Sequence, residues 1–401
     1  MRLLHVTQSY YPFLDMGGPT VKVRALARGL ASSGHAVTVL TADLGFDSAK
    51  REITNALPGR WGIEAKENGV EAIYLRTRAR YRSLTWNPGV TPFCRERLGA
   101  YDLAHIYGLY DLVGPRVGSV CRRIDRPYVV EPMGMFLPIV RSIWMKRLYH
   151  DTLGGRLLRG ASRVIATSEQ ERQECLEGGI ADSKIVVRRN GIEIPGQFPP
   201  PESFRNKWNI SKDAKLVLFL GRLVSKKSPE LMLEVFSHWS QCGNGSRGSV
   251  LVMAGPDERD GFRQRLEANV AQMGLNGRVV FTGPLYGDAK WAAYRDADVF
   301  VLPSQNENFG NTAAEAIACG TPVLVTDRCG IAPIVNQRAG LVVPHDCAAL
   351  EAGLAQLLDD PVLAARLRGG CQGVAKSLSW TEPLAQMESL YRELISGRRD
   401  Q

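Results

Sequence analysis

The sequence predicts an α/β protein made of two doubly wound parallel sheets, and three observations carry that prediction. Short β-rich runs alternate with helix-length amphipathic stretches almost from end to end. The runs are continuously apolar, as strands covered on both faces of a parallel sheet are. A cluster of three prolines, at 199–201, then divides the chain into two stretches of similar length. At 401 residues the chain exceeds one ordinary core and suits two domains of about 150–200 residues.

In the first half the expected strands are LLHVT (3–7), AVTVLTA (36–42), VEAIYL (70–75), DLAHIY (102–107), PYVVE (127–131), RVIATS (163–168) and KIVVRR (184–189). In the second they are KLVLFLG (215–221), SVLVMAG (249–255), RVVFTG (278–283), DVFVLPS (298–304), PVLVTD (322–327) and GLVVP (340–344). Ligands of such sheets bind at the carboxyl ends of the strands. The connector GQFPPPESF (196–204) is stiff and extended, because consecutive prolines continue neither a helix nor a central strand. It sets domain bounds of 1–196 and 205–376, leaving a tail from 377 to 401. In that tail Leu384, Met387, Leu390, Tyr391 and Leu394 are spaced for one helical face.

Composition narrows the class. An apolar fraction of 44% and a charged fraction of 23% are those of a globular chain. No segment reaches the ~18 apolar residues of a membrane span. The opening MRLLHVTQSYYPF lacks a small-residue cleavage site and reads as a strand rather than a signal peptide. Eight cysteines form no CxxC pair and sit near no histidine at metal-ligand spacing, which suits reduced thiols in the cytoplasm. The charge is uneven: residues 1–200 carry 28 basic against 19 acidic side chains, and the remainder 22 against 22. A basic half attracts nucleic acid, acidic ligands or anionic lipid. No nucleic-acid motif accompanies it, so nucleic acid is not an expected partner.

The segment richest in chemistry is PSQNENFGNTAAEAIACGTPVLVTD (303–327). A strand should end near Pro303, a loop should hold Glu307, and a helix should start near Gly310 with Glu315 in its second turn. Backbone amides at Gly310, Asn311 and Thr312 would form an anion site. Two carboxylates flanking such a site can accept hydrogen bonds from vicinal hydroxyls while the amides hold phosphate, as a nucleotide sugar requires. Spacing alone leaves open the alternative of a solvent-facing loop glutamate and a helix glutamate near its favoured end. A second segment, GRLVSKKSPELMLEVF (221–236), follows a buried strand and places Gly221, Arg222, Lys226 and Lys227 at its carboxyl end. Cations there could neutralise a diphosphate leaving group.

Together these segments resemble the GT-B-fold retaining glycosyltransferases of the group-one, or family-four, type, over nearly the whole chain. The E-x7-E signature of that family matches Glu307 and Glu315, with Phe309 and Gly310 between them. Its GRL-xxx-K pattern matches Gly221, Arg222, Leu223 and Lys227, with Ser228 where glycine is usual. Gly17 and Gly18 match the N-terminal glycine loop whose amides face the donor phosphates, and RNGIE (189–193) the family's NG loop. FTGPL (281–285), with Gly283 and Leu285, falls where the family sandwiches the base.

The resemblance implies two Rossmann-like domains facing a central cleft, with a C-terminal crossover helix packing back on the N-terminal domain. The first domain would take the acceptor and the second the nucleotide-sugar donor. It further implies that Arg222 and Lys227 bind the diphosphate. Glu307 and the following Asn308, Phe309, Gly310, Asn311 and Thr312 would hold the transferred sugar, and Glu315 the ribose. No protein nucleophile is required, since the departing phosphate oxygen takes the acceptor's proton. This agrees with the lack of any Ser-His-Asp or Cys-His signature. No metal or other cofactor is expected. The donor would be a UDP- or GDP-sugar, and the acceptor a glycan or lipid-linked molecule of the cell envelope or an extracellular polysaccharide.

One departure bears on the acceptor side. Family members commonly carry histidine in a VVxxHG segment, where this sequence reads VVEPMGM and has Met133 before Gly134. A thioether donates no hydrogen bond to a sugar hydroxyl. Glu131 is the nearest replacement, and His105 is expected to be buried or at the rim. Asp296-Ala297-Asp298 looks like a DxD metal motif but should end a helix and open a buried strand, the wrong setting for a metal. Trp144 and Trp291 are expected to pack.

The basic half also carries two cationic stretches. Residues 135–163 combine Met135, Phe136, Leu137, Ile139, Val140, Ile143 and Trp144 with Arg141, Lys146, Arg147, Arg156, Arg159 and Arg163. Arg76, Arg78, Arg80 and Arg82 would share one face of an extended strand. An anionic membrane surface is therefore an expected partner, with the protein peripheral on the inner face of the membrane; composition leaves open the alternative that the apolar residues of 135–163 are core and the arginines merely solvated. Two further readings remain, a sugar-nucleotide epimerase or hydrolase on the same architecture and a catalytically silent binding protein.

Overall fold

A computed structural model describes residues 1–13, 18–44, 56–81, 84–136, 143–242, 248–257 and 261–397. The chain divides into two compact units, Met1–Gly191 with Trp380–Gln401, and Ile192–Ser379.

The first unit contains β1 (Arg2–Val6), β2 (Ala36–Ala42), β3 (Leu57–Pro58), β4 (Gly62–Glu67), β5 (Val70–Leu75), β6 (Ala79–Tyr81), β7 (Leu84–Trp86), β8 (Leu103–Tyr107), β9 (Tyr128–Glu131), β10 (Arg163–Ala166) and β11 (Ile185–Val187). Nine of them form one sheet in the order β11-β10-β9-β8-β1-β2-β5-β4-β3. From β11 to β5 every pairing is parallel, while β4 and β3 add an antiparallel edge. Alternation of side chains along a strand explains the unbroken apolar runs. Leu4 and Val6 enter the core on one face of β1, and Leu3 the core on the other.

The second unit contains β12 (Leu216–Leu220), β13 (Val250–Ala254), β14 (Val279–Gly283), β15 (Val299–Leu302), β16 (Val323–Thr326) and β17 (Gly340–Val343). They form a six-stranded sheet, β14-β13-β12-β15-β16-β17, parallel throughout. Here too Leu216, Leu218 and Leu220 face one core, and Val217 and Phe219 the other.

All thirteen strands expected from the sequence are present; the first is shifted by one residue, to Arg2–Val6, and the others are unchanged or trimmed by a residue or two at their ends. The pieces not anticipated are antiparallel: β3, β4 and the ribbon of β6 and β7. The segment GIEAKE of β4 is mostly half-exposed, so it lacks the apolar run that identifies a buried strand. Only Ala79–Tyr81 of the arginine-rich stretch is a strand; Arg76, Arg78 and Arg80 are exposed, and Arg82 lies outside the described residues.

The proline cluster is not the boundary. The units divide between Gly191 and Ile192, so residues 192–204 belong to the second unit, and the return falls between Ser379 and Trp380 rather than at 376. The cause is a set of polar ties. Asp296 accepts from the Glu202 amide at 2.8 Å, Phe204 at 2.8 Å and Arg205 at 3.1 Å, capping the short helix Ser203–Lys207. Arg205 pairs with Asp298 at 2.9 Å, and Asp298 also accepts from the Leu216 amide at 2.7 Å. The DxD-like carboxylates therefore fasten the connector to the sheet.

The tail forms the helix Thr381–Ser396, with Met387, Leu390 and Tyr391 buried in the core of the first unit. Leu384 lies against Gly29, where an added Cβ would come within 2.5 Å of it. Glycine there lets this helix approach the helix Gly18–Ser32. Among the described residues no helix is long and apolar enough to cross a membrane.

Asp296→Ala should lower the stability of the second unit by about 2 kcal/mol, the loss of a charged acceptor serving several amides. The denaturant midpoint of that unit measures it.

Candidate active site

In the second sheet the chain runs outward from β12 to β13 and β14, then returns to place β15 on the other side of β12. Connections leaving β12 and β15 diverge, so a crevice opens at their carboxyl ends, the usual ligand position in an open parallel sheet. The residues predicted to carry chemistry fall on these two connections.

After β12 come Gly221 and the exposed Arg222, followed by a single 3-10 turn, Ser225–Lys227. Gly255, after β13, fits only as glycine, since a Cβ would lie 1.7 Å from the Gly221 carbonyl oxygen. After β15 the chain passes through Glu307 and Gly310 into the helix Asn311–Ala318. Gly310 takes φ +107° and ψ 52°, a conformation that favours glycine. The two connections meet where the Gln305 amide donates to the Lys226 carbonyl at 3.0 Å.

At that meeting point the Lys227 ammonium forms an ion pair with the Glu307 carboxylate. Burial, and then repulsion from Arg222, push the Lys227 ammonium down to about 7, while Glu307 supplies the countercharge. The backbone fixes Glu307 from behind: its amide donates to the Arg328 carbonyl at 2.9 Å and its carbonyl accepts from Gly330 at 2.9 Å. Phe309 is only 2% exposed and sits in the core. Its side chain anchors the loop, and the Ile331 amide donates to its carbonyl at 2.7 Å.

Glu315 stands apart from that pair. Lys290 donates to one of its oxygens at 2.7 Å and the Tyr294 hydroxyl to the other at 2.9 Å. Tyr294 is fully buried, and burial followed by the Glu315 charge raises its pKa well above the ordinary value, so it remains a donor. Lys290 and Tyr294 were not singled out from the sequence. Both lie on the helix Gly287–Asp296 one turn apart, a spacing that reveals a shared face but not what it faces. Asn308, Asn311 and Thr312 are half-buried around the turn into the helix. Gly283 ends β14, and Leu285 packs on the edge of the core.

A family described as Glycosyl transferases group 1 matches residues 201–370, and a Glycosyl transferase 4-like domain matches residues 17–191. The chain belongs to the group 1 glycosyltransferases. It is 28% identical over 383 residues to the uncharacterized glycosyltransferase MJ1607 of Methanocaldococcus jannaschii, covering 90% of each chain. It is 26% identical over 400 residues to a D-inositol 3-phosphate glycosyltransferase of Xylanimonas cellulosilytica, covering 96% of this chain and 93% of that one. Among solved structures, Thermosynechococcus elongatus sucrose-phosphate synthase matches with a TM-score of 0.74 at 23% identity, covering 99% of this chain and 100% of that one. Anabaena Alr3699/HepE in complex with UDP and glucose matches with a TM-score of 0.77 at 17% identity, covering 98% and 100%. The fold is GT-B.

The N-terminal unit of this glycosyltransferase changes the acceptor-side assignment. Glu131 ends β9 fully buried, pairs with Lys22, and accepts from Arg188 at 2.6 Å. Both partners are themselves almost wholly buried. A carboxylate so enclosed cannot meet an acceptor, and the assignment of Glu131 as an acceptor contact is corrected to a structural ion pair. Nothing in the sequence marked Lys22, which lies on the helix Gly18–Ser32. Met133 takes a left-handed φ of +56° and packs, half-buried, against the core. His105 is buried, its Nδ1 2.6 Å from the Tyr391 hydroxyl. Gly18 opens the first helix, and Gly17 lies outside the described residues.

The basic amphipathic stretch is only partly what its composition suggested. Phe136, Leu157 and Leu158 are core, and Arg163 is taken up by Glu393 at 2.9 Å. Trp291 packs as expected, but Trp144 is 71% exposed, with Leu148 at 56% and Leu153 at 39%. Arg147, Arg156 and Arg159 are exposed nearby in sequence, and residues 137–142 lie outside the described residues.

Tyr294→Phe keeps the ring in the core and removes one donor to the Glu315 carboxylate. It should cost about 1.5–3 kcal/mol, the range for a hydrogen bond to a charged group, read from the denaturant midpoint of the second unit.

Proposed function

We propose that the protein is a retaining, metal-independent glycosyltransferase that moves a sugar from a nucleotide diphosphate onto a glycan or lipid-linked acceptor. The observation that supports this reading is the Lys227–Glu307 ion pair at the strand ends where ligands bind. A diphosphate carries more charge than one carboxylate and competes for the Lys227 ammonium, with Arg222 beside it. Glu307, released from Lys227, then accepts hydrogen bonds from the hydroxyls of the transferred sugar. Glu315, held by Lys290 and Tyr294, receives the ribose hydroxyls. The amides opening the helix Asn311–Ala318 add a positive end.

In the transfer, the bond between the anomeric carbon and the phosphate oxygen breaks. The acceptor oxygen forms its bond on the face that the phosphate leaves, and its proton passes to the departing phosphate oxygen. The group needed most is one that stabilises the new charge on that phosphate, the service Arg222 and Lys227 provide. The donor is a UDP- or GDP-sugar, and UDP is the first to test because the HepE relative was solved with it. Work in the cytoplasm on an envelope or extracellular polysaccharide fits a donor of this kind.

Calorimetry with UDP and with a UDP-sugar separates the roles. Glu307→Ala should bind UDP at least as tightly as the wild type, since Lys227 loses its internal competitor, yet lose the added affinity for the sugar. Glu315→Ala should weaken both. Lys227→Ala should lower turnover by roughly 10²–10³, and the product of the wild type, formed in excess chelator, should keep the donor's anomeric configuration. An inverted product or an absolute metal requirement contradicts the reading.

The exposed Trp144, Leu148 and Leu153 with neighbouring arginines favour an anionic membrane as the working surface. Each cation near such lipid contributes about 1 kcal/mol. Sedimentation with anionic vesicles at low salt should exceed that with neutral vesicles, fall at high salt, and drop several-fold in Trp144→Ala.

A further inference from the structure

The turn that carries Lys227 ends at Ser228, where the family pattern has glycine. Ser228 takes φ +52° and ψ 47°, is 5% exposed, and is followed by the helix Pro229–Cys242. Left-handed backbone is strained for serine and free for glycine. A side chain at this position therefore has a cost in the turn, and the structure shows what it does there. The Ser228 hydroxyl lies 3.0 Å from Nε2 of His345.

His345 follows β17 in the segment VVPHD. Burial, and then the Arg328 charge, lower its pKa, while a hydrogen bond to the Pro303 carbonyl and the Asp327 charge oppose this. The Ser228 hydroxyl and Nε2 share this hydrogen bond, with donor and acceptor set by the imidazole tautomer. Pro303 follows β15, Asp327 and Arg328 follow β16, and Ser228 follows the β12 connection. The Ser228–His345 contact thus joins the segment after β17 to the turn next to Lys227. Main-chain bonds also hold that turn: Lys227 donates to Val224 at 2.9 Å, Ser228 to Ser225 at 2.9 Å, and Gln305 to Lys226 at 3.0 Å.

We infer that Ser228 and His345 are positioning residues for the transfer, holding the Lys227 ammonium in register with Glu307 and the diphosphate. The inference rests on the proposed donor site. His345 touches no reacting atom; it acts through Ser228 on the placement of a charge. Placement of this kind is worth much in rate, because displacement by about 1 Å costs up to 10²-fold.

The test uses Ser228→Ala, Ser228→Gly, His345→Ala, His345→Gln and the double variant Ser228→Ala/His345→Ala. Ser228→Gly relieves the strained backbone, so its melting temperature should equal or exceed the wild type while its kcat falls about tenfold. A purely structural role predicts that activity follows stability. Ser228→Ala and His345→Ala should lower kcat to a similar degree with little change in KM. The double variant should be no worse than either, since one bond is lost in all three. His345→Gln, whose amide oxygen can accept from Ser228, should recover most of the loss.

Competitive acylation of lysines, read by peptide mass spectrometry, reports on Lys227 without any transfer assay. The Lys227 rate relative to that of Lys212 should change several-fold in Ser228→Ala and His345→Ala, and stay at the wild-type ratio in His345→Gln. Unchanged Lys227 labelling in both alanine variants overturns the inference, as do losses that multiply in the double variant. Failure of the wild type to transfer or bind any nucleotide sugar overturns the donor-site reading instead, and leaves the labelling result to decide this one.

Discussion

A parallel sheet whose crossovers diverge cannot close over its own strand ends, and in the second unit that opening lies between β12 and β15. The local sequence is shaped around it. Polar loops that would have to be buried elsewhere can remain solvated here, yet both are fastened to the sheet beneath. Phe309 and Leu223 sink into the cores. Backbone bonds from Arg328 and Gly330 hold Glu307, and Gly310 supplies the backbone turn that starts the helix. The outcome is a lysine and a glutamate that are rigid and paired, with a second glutamate held separately by Lys290 and Tyr294.

The first unit has a comparable divergence between β8 and β1 and fills the region beneath it differently. Lys22, Glu131 and Arg188 form a buried ionic cluster, with His105 3.5 Å from Glu131. Desolvating such charges is expensive, and removing one partner leaves another buried and unpaired at a cost of about 3–5 kcal/mol. Burial, then the charges of His5, Arg188 and Lys22, keep the His105 pKa well below its ordinary value, so it stays neutral beside the cluster. Tyr391 reaches His105 from the C-terminal helix. That helix is therefore a component of the first unit's core, although the second unit separates it in sequence from the rest.

Legibility in the sequence followed burial. Strands covered on both faces announced themselves as unbroken apolar runs, and Val323–Thr326 or Leu216–Leu220 could be placed to within a residue or two. Edge pieces such as Gly62–Glu67, half-exposed and polar, left no such trace. Proline composition marked the connector but misplaced the boundary, because Asp296 and Arg205 bind the connector through contacts about ninety residues apart. In the site, the spacing of Glu307, Glu315 and Lys227 was readable since each lies in a short motif after a strand. The partners of Glu315 and the burial of Glu131 were not. They depend on which helix packs across which strand, as with Lys22 from the first helix meeting a residue at the end of β9. Trp144 misled in the other direction: helical spacing among apolar residues suggested packing, but the side chain faces solvent.

The central claim is that the crevice between β12 and β15 receives the nucleoside diphosphate. Amide hydrogen exchange with and without saturating UDP, or GDP if that is the ligand that raises the melting temperature, tests it most directly. The account predicts slowed exchange in 221–228 and 307–315, the two connections that meet at Lys227 and Glu307. A ligand that slows exchange elsewhere while leaving both of these segments unchanged contradicts it.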